Sequence, residues 1–308
     1  MIEFDQADRE VSVEIEADIR STPDIVRQAL NVVAQDERVA SLLSGEVLFL
    51  GSGSSHCIGL AAARLYEDAR GLPAQALLPS EYRPRPGWTH VATSRTGQTT
   101  ELIRAMQAAK ETGARVILVV GDAGSPAERW ADAVLPLPFA SETGVVQTRF
   151  ITAALTALRA LITSEDLSEL PEAVERGLSF QPEEFEQPHV VYLGRGWRYG
   201  LARSAALTLQ EAALQVPESH QTLDYRHGPI AAADENTLIW SFDAPEDEVA
   251  ASVLRDAAAT GATIRPSPDD PLVSLVQAQL FAAHRAAAQG IDVASPRNLT
   301  RAVVLPNR

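Results

Sequence analysis

The sequence predicts an α/β protein in which two parallel β-sheets, each covered by helices on both faces, follow one another along the chain. Two observations predict this fold. Short apolar runs typical of buried strands alternate with longer segments of helical periodicity through the 308 residues. The pattern also starts twice: an apolar run that ends at Leu50 is followed by a glycine-containing turn and a helix, and the same succession follows the apolar run that ends at Leu193. This repetition indicates an internally duplicated domain.

The first half is expected to open with a helix and then to alternate strands with helices. Ser21 and Thr22 followed by Pro23 are typical of a helix start, because proline fits the first helical turn. The expected strands are residues 46–50, 75–78, 89–93, 115–120 and 133–137. The expected helices are residues 24–30, 58–70, a segment starting at 101, and 145–161.

The second half repeats the alternation after a segment rich in Glu and Pro, which is typical of a connection between domains. The expected strands are residues 189–193, 237–241 and 263–264, and the expected helices are residues 199–215, 246–260 and 272–289. The predicted organisation is therefore a first domain with an N-terminal helix over residues 1–165, a connection over 166–188, and a second domain with a C-terminal tail over 189–308.

Composition and charge bound the class of protein. Asp and Glu (41) outnumber Lys and Arg (26), and the net charge of −15 argues against a nucleic-acid-binding surface. A phosphate ligand would therefore need local donors. The acidic start lacks the apolar core of a signal peptide, no apolar run reaches membrane-spanning length, and the single Cys57 permits no internal disulfide. These features predict a cytoplasmic protein that contacts no membrane.

A hydroxyl-rich stretch from Ser94 to Thr99 follows the third predicted strand and precedes a helix. A strand, a turn and a helix in this order suit an anion, because the first N–H groups of a helix lack partners and carry partial positive charge. Hydroxyls of Ser94, Thr96 and Thr99 add donors, and Gly97 lets the backbone approach a ligand. The alternative is an ordinary helix cap.

The earlier turn, which starts at Gly51, offers further hydroxyls. A dinucleotide-binding fingerprint requires a third glycine where His56 stands, so that reading is disfavoured. A serine-rich turn instead suits a phosphomonoester, which hydroxyl groups bind end-on.

Two residues of the second half suit acid–base chemistry. Glu211 has apolar neighbours near the end of a predicted helix, so we expect its pKa to be raised toward that of a general base for a carbon-bound proton. His227 lies in a polar stretch with turn chemistry, and histidine is the natural acid or base near neutral pH. A solvated glutamate and a structural loop histidine are the alternatives. The histidines show no metal-ligand spacing, so no metal site is expected.

Taken together, these stretches resemble the double sugar-isomerase (SIS) domain family, and most closely the isomerase half of glucosamine-6-phosphate synthase and its stand-alone relatives. The segments that resemble the family, in its order, are residues 53–55, 94–99, 142–149, 223–229 and 292–304. The resemblance implies two SIS-type, flavodoxin-like, doubly wound domains in tandem. It also implies a homodimer with shared active sites and no metal or organic cofactor.

The resemblance further implies roles for single residues. Glu211 would move a proton between C1 and C2 of an open-chain hexose 6-phosphate, and His227 would assist ring opening, reaching across a dimer into the neighbour's site. The residues expected to bind the phosphate or the sugar are Ser54, Ser55, Ser94, Arg95, Thr96, Gln98, Thr99, Val145, Thr300 and Arg301.

Three departures from the synthase bear on the reaction. Thr208 stands where the synthase has a lysine one helical turn before its glutamate, Arg301 replaces the lysine of the tail, and no glutamine-hydrolysing domain is expected in these residues. The expected function is a phosphosugar aldose–ketose isomerase or an amino-sugar-6-phosphate deaminase. A deglycase of the fructosamine-6-phosphate type is an alternative. A phosphosugar-binding regulator is the alternative from another class, and the pair of Glu211 and His227 favours an enzyme.

Overall fold

The computed structural model describes residues 15–267 and 270–306. These residues form two compact units, and each unit contains its own parallel sheet. The first-sheet unit comprises Asp24–Thr143, Arg149–Ser168 and the residues from Asn298 onward. The second-sheet unit comprises the described residues up to Pro23, Gly144–Thr148 and Glu169–Arg297.

The first sheet contains parallel strands in the order β2-β1-β3-β4-β5. They are β1 (Val47–Leu50), β2 (Ala74–Leu77), β3 (Thr89–Ser94), β4 (Arg115–Val120) and β5 (Ala133–Pro136). The two central strands β1 and β3 are buried along their whole length, as expected of parallel strands that are covered on both faces.

The second sheet is also parallel, in the order β7-β6-β8-β9. Its strands are β6 (His189–Gly194), β7 (Glu218–Gln221), β8 (Thr237–Ser241) and β9 (Thr263–Arg265). Strand β8 is buried throughout, whereas β7 is a polar edge strand that is nowhere fully buried.

The helices connect the strands and cover the sheets. In chain order they are α1 (Thr22–Gln35), α2 (Glu37–Leu42), α3 (Ser54–Arg70), α4 (Thr100–Glu111), α5 (Arg149–Ile162), α6 (Leu170–Gly177), α7 (Arg198–Ala213), α8 (Glu248–Ala258) and α9 (Pro271–Ala288). Residues 15–20 are helical as well. Within the described part of the chain, no helix is both long enough and apolar enough to cross a bilayer.

The two sheets repeat the same topology around their first strand. The orders β2-β1-β3-β4 and β7-β6-β8-β9 correspond strand for strand. A Cβ atom on Gly51 would lie 2.7 Å from the backbone of the residue four positions later, and one on Gly194 would lie 2.6 Å from the equivalent backbone. The next glycines, Gly53 and Gly196, have φ angles of +56° and +55°. The same turn therefore follows the first strand of each sheet, which supports the duplication inferred from the sequence pattern.

The structure differs from the predicted elements in several places. The helix expected from residue 58 begins at Ser54. Helix α6 lies inside the segment expected to be a plain connection, where Leu170 and Val174 are buried. Strand β7 was not predicted, because its sequence is wholly polar and gives no apolar alternation. The helix expected from residue 145 begins at Arg149, and the Val145 N–H donates to the Ala294 carbonyl (3.1 Å) instead of taking part in a helix.

Each of the two units is made of segments that are distant in sequence, so the units do not divide at the predicted domain boundaries. The end of the tail, which the prediction assigns to the domain 189–308, belongs to the first-sheet unit from Asn298. There the Thr100 N–H donates to the Val303 carbonyl (3.2 Å), and the Leu305 N–H donates to the Thr100 hydroxyl (2.9 Å). Residues up to Pro23 group in turn with the second-sheet unit. Sequence order cannot reveal such exchanges, because they depend on which surface a terminal segment packs against.

One buried histidine predicts how stability depends on pH. His90 on β3 is fully buried, with Nδ1 3.2 Å from the Trp88 carbonyl and Nε2 3.3 Å from the Tyr82 hydroxyl. Burial lowers the pKa of His90 and outweighs the raising effect of the Trp88 carbonyl. As the pH falls below about 6.5, the His90 imidazole therefore takes up a proton in the unfolded chain before it does so in the folded protein. The contribution of neutral His90 to stability is fully present above that pH and decreases below it.

We expect the free energy of unfolding, measured in urea from about pH 7.5 to about pH 5, to fall more in the wild type than in His90→Gln. The glutamine does not titrate, so the difference between the two curves isolates His90. Parallel curves for the two proteins would contradict this assignment.

Candidate functional site

The candidate site lies at the carboxyl ends of β1 and β3. These strands are neighbours, and the strand that follows β1 in sequence lies on its other side, so the strand order reverses direction between them. Ligands of open α/β sheets bind at such a switch point. Residues 51–55 after β1 and residues 94–99 at the end of β3 are both at this edge, and together we name them the hydroxyl cradle.

The second part of the cradle is a closed turn of buried hydroxyls. Ser94 and Thr96 are 6% and 3% exposed. The Ser94 hydroxyl oxygen accepts from the Gly97 N–H (2.9 Å), and the Thr96 hydroxyl oxygen accepts from the Gln98 N–H (3.2 Å). Because each hydroxyl accepts through its oxygen in these bonds, its own hydrogen can be donated to an anion.

Glycine is required within this turn. Gly97 has a φ of +60°, and a Cβ atom there would lie 2.3 Å from the hydroxyl oxygen of Ser125. Ser125 cannot withdraw easily, because its N–H donates to the Glu128 carboxylate (2.9 Å). The Gly97 carbonyl also accepts from the Ala127 N–H (3.2 Å). The turn is therefore packed directly against residues 125–128.

We expect Gly97→Ala to lower the affinity for inorganic phosphate by about tenfold or more, because the methyl group displaces the hydroxyls of the turn. Gly124→Ala is the matched control, since Gly124 also has a positive φ (+74°) but an added Cβ atom there would meet nothing within 4 Å. Calorimetric titration with inorganic phosphate measures both variants. Equal affinities in the two variants would show that the turn does not bind the anion.

The first part of the cradle contains the start of α3. Ser54 and Ser55 are each 3% exposed and lie in the first turn of this helix, which has no side-chain cap. The N–H groups of Ser55 and His56 already bond to the carbonyls of Ser52 and Gly53. An anion here would therefore depend on the serine hydroxyls and the helix dipole more than on unpaired backbone N–H groups.

Arg95 is engaged with protein groups. Its Nη1 lies 3.5 Å from Oε1 of Glu142, and the two side chains are 2% and 1% exposed. Its Nη2 donates to the Arg301 carbonyl (3.4 Å). Burial lowers the pKa of Arg95, against the raising effect of the Glu142 charge. In this structure Arg95 ties the cradle to Glu142 and to the tail, and direct contact between Arg95 and a phosphate stays a prediction.

The tail is fixed at the same edge of the sheet. Arg301 donates to the Glu142 carbonyl and, through Nη2, to the carboxylate of Asp122 (3.2 Å), which follows β4. The Thr300 hydroxyl donates to the Ala302 carbonyl (3.0 Å). Asp122 neutralises the charge that Arg301 would otherwise offer to an anion, and sequence reasoning missed it. Its signal was its position two residues after β4, a buried strand that ends at this edge.

The remaining predicted residues are distributed between the two units. Gln98 is exposed and Thr99 is half-buried, both in the cradle. The predicted phosphate- or sugar-binding residues within the first-sheet unit are Ser54, Ser55, Ser94, Arg95, Thr96, Gln98, Thr99, Thr300 and Arg301. Those in the second-sheet unit are Val145 and the two acid–base candidates, Glu211 and His227.

Glu211 is half-buried in the last turn of α7, and the next two residues, Ala212 and Ala213, are fully buried. The raised pKa expected for Glu211 stays a prediction. Thr208, one turn earlier, is 1% exposed, and its hydroxyl donates to the Ser204 carbonyl (3.0 Å). The position that carries a lysine in the synthase is therefore occupied here by a group that is satisfied within its own helix.

His227 is exposed at the end of a short 3-10 helix, Asp224–His227, which is itself well anchored. Tyr225 is fully buried, and burial raises its pKa to about 12 with a further contribution from the Glu218 charge. Arg226 donates to the carboxylate of Asp256 (2.6 Å). An exposed imidazole on a fixed turn is suited to proton exchange with a bound molecule.

Comparison with known proteins identifies the domain type. Residues 44–164 match the SIS domain family. The isomerizing glutamine–fructose-6-phosphate aminotransferase of Acidithiobacillus ferridurans is 29% identical over an alignment of 315 positions, and the alignment covers 84% of this chain and 51% of that protein. The chain thus spans about half the length of the curated relatives it matches.

Solved structures share the fold. A glucosamine-6-phosphate deaminase from Thermotoga maritima has a TM-score of 0.83 at 23% identity and covers 94% of this chain and 100% of its own. A tagatose-6-phosphate ketose/aldose isomerase from Escherichia coli has a TM-score of 0.76 at 18% identity, covering 95% and 96%. These likenesses confirm the predicted fold class.

Proposed function

Because this chain is a SIS-domain protein, with the family's domain over residues 44–164, we propose that it binds a hexose or hexosamine 6-phosphate and moves a proton between C1 and C2 of the open-chain sugar. The observation that carries the proposal is the hydroxyl cradle at the switch point of the first sheet. Its buried Ser and Thr side chains are local donors in a chain whose net charge of −15 disfavours anions elsewhere.

The phosphate is held by the hydroxyls of Ser94, Thr96 and Thr99 together with Ser55, and Ser54 and Gln98 complete the cradle. Hydroxyl donors with fixed positions favour a phosphomonoester over a neutral sugar. The reason is that the charged phosphate group accepts hydrogen bonds on several of its oxygens. Arg95 and Arg301 keep the cradle and the tail together. Thr300 and Val145 contribute to the sugar-binding surface.

The chemical step is a proton transfer at carbon. Glu211 as a carboxylate removes the proton from the carbon next to the carbonyl, and the electron pair forms an enediolate. The hydroxyl proton of the carbon that lost its hydrogen then passes to the former carbonyl oxygen. The carboxyl group returns its proton to the former carbonyl carbon, and the oxygen that lost its proton becomes the new carbonyl. His227 exchanges a proton with the ring oxygen, so that the cyclic sugar opens before this step. No group outside the chain and its substrate is required for the proton balance.

For an amino sugar the same first step leads to loss of nitrogen. Removal of the C2 proton followed by protonation at C1 converts the amine into an imine, and water then releases ammonia and leaves a ketose phosphate. A fructosamine-6-phosphate adduct would release its amine by the corresponding route. Thr208, with its hydroxyl satisfied by the Ser204 carbonyl, supports a reaction that needs no lysine at this position.

Product analysis separates these reactions. The wild type is incubated in turn with glucosamine 6-phosphate, fructose 6-phosphate, galactosamine 6-phosphate and a fructosamine 6-phosphate adduct. Interconversion of aldose and ketose indicates an isomerase, free ammonia a deaminase, and a released amine a deglycase. Thermal stabilisation by one of these sugars without any product would favour the non-catalytic phosphosugar-binding regulator.

The exposure of His227 in the single chain supports a homodimer in which His227 completes the neighbour's site. We expect inactive Glu211→Gln and inactive His227→Asn proteins to recover activity when they are mixed and allowed to exchange subunits. Half of the dimers are then mixed and each has one intact site, so recovery reaches about a quarter of the wild-type activity. No recovery despite subunit exchange, measured by mass spectrometry of tagged dimers, would place both residues in one subunit's site.

A further inference from the structure

Asp243 is a buried carboxylate at the switch point of the second sheet, and the proposed chemistry does not use it. It lies two residues after β8 and is 4% exposed. One carboxylate oxygen accepts from the Arg195 N–H (2.7 Å), in the turn after β6. The other accepts from the Thr222 hydroxyl (2.6 Å), just after β7, and lies 3.3 Å from the Ser241 hydroxyl. Asp243 thus joins the ends of all three strands around the switch point.

The repeat places Asp243 where the first sheet has a hydroxyl of the cradle. The residue directly before the glycine turn pairs with Ala92 in the first sheet and with Ser241 in the second. Two residues further along the chain from Ala92 and Ser241 stand Ser94 and Asp243. In the second sheet a carboxylate therefore accepts hydrogen bonds at the position where the first sheet has a hydroxyl. This carboxylate lies close to the start of α7, where negative charge is favourable.

Asp243 also fixes the beginning of the segment that carries His227. Thr222 is fully buried, and its N–H donates to the Gly194 carbonyl (3.4 Å) in addition to the hydroxyl bond to Asp243. The 3-10 helix Asp224–His227 starts two residues later. The position of Thr222 therefore sets where that short helix starts.

We infer that Asp243 is a positioning residue for His227, acting through Thr222. The inference rests on the proposed function, because it assigns ring opening to His227. Loss of the carboxylate leaves the Thr222 hydroxyl and the Arg195 N–H buried without their acceptor, and the segment moves away from its position. Ring opening slows, whereas phosphate binding at the cradle and proton transfer by Glu211 continue.

The test compares Asp243→Ala and Asp243→Asn with the control Asp247→Asn. Asp247 binds the side chain of Arg195 but does not bind Thr222, so the control alters the same turn without touching the anchor of the segment. Turnover is measured on a sugar phosphate that cyclises and on an acyclic analogue that lacks the ring-closing hydroxyl. Affinity for inorganic phosphate is measured by calorimetry.

We expect Asp243→Ala to lose about 10- to 100-fold in turnover of the cyclising sugar, as misplaced catalytic groups do, and to stay within about twofold of the wild type on the acyclic analogue. Asp243→Asn retains one acceptor oxygen and loses less. Phosphate affinity is unchanged in all three variants. An equal loss on both sugars, or no loss on either, overturns the inference.

A second readout does not depend on turnover. The imidazole resonances of His227, assigned by comparison with His227→Asn, are recorded by proton NMR in each variant. They shift in Asp243→Asn and remain in place in Asp247→Asn. Unshifted resonances in Asp243→Asn overturn the inference even if Asp243→Ala fails to fold. A wild type that turns over neither sugar, while the resonances shift as expected, contradicts the proposed function and leaves the positioning of His227 supported.

Discussion

Replacing Glu211 with glutamine is expected to lower turnover of the true substrate by about 100- to 10,000-fold, which is the range that general-base catalysis contributes. The amide has the same shape as the carboxyl group but cannot accept the proton from carbon. Inorganic phosphate binds to the variant with wild-type affinity, because the cradle hydroxyls lie in the other unit. Steady-state kinetics on the substrate identified by product analysis measures the loss.

The matched control for this variant is Glu248→Gln. Glu248 lies in the first turn of α8, is exposed, and belongs to the same unit as Glu211. Its replacement removes one negative charge from a helix without touching the proposed chemistry. Full turnover by Glu211→Gln, or an equal loss in both variants, would remove Glu211 from the role of base.

Replacing Glu142 with alanine is expected to lower the free energy of unfolding by about 3–5 kcal/mol, because it removes the carboxylate that pairs with the buried charge of Arg95. The side chain of Arg95 is 2% exposed, and Glu142 supplies its carboxylate. Glu142 also accepts from the Arg149 N–H at the start of α5 (3.0 Å). Urea denaturation at about pH 7.5 measures the change.

An exposed ion pair provides the comparison for this variant. Arg64 and Asp68 on α3 pair at 2.8 Å, but their side chains are 53% and 49% exposed. Solvent screens such pairs, so Asp68→Ala is expected to change stability by about 0–1 kcal/mol. If Glu142→Ala were no more destabilising than Asp68→Ala, Arg95 would not depend on Glu142, and its assignment as an anchor of the cradle would be wrong.

Elements with a strong apolar pattern were predictable from the sequence. Strands β1, β4, β6 and β8 carry continuous apolar runs, and the glycine turns after β1 and β6 mark the duplication. Strand β7 could not be found in this way, because pairing with β6 rather than its own composition makes it a strand. Helix α6 was missed because its Glu and Pro content masks Leu170 and Val174, which are buried by tertiary packing.

The two turns of the cradle were predictable because their hydroxyl residues are closely spaced in sequence where β1 and β3 end. The carboxylate partners of Arg95 and Arg301 were not predictable from the sequence. Arg95 reads from the sequence as a candidate phosphate ligand, and only the folded chain brings Glu142 to it. Arg301 is engaged in the same way by Asp122. Contacts between residues distant in sequence depend on how the loops fold back, which no local pattern records.

Solvent exchange tests the central claim most directly. The wild-type protein is incubated in heavy water with each sugar phosphate of the panel, and proton NMR follows the signals at C1 and C2. A phosphosugar enzyme that moves a proton through Glu211 incorporates deuterium at one of these carbons for at least one sugar, and Glu211→Gln does not. Absence of exchange with every sugar, although one of them raises the melting temperature of the protein, would contradict proton transfer and leave phosphosugar binding as the function.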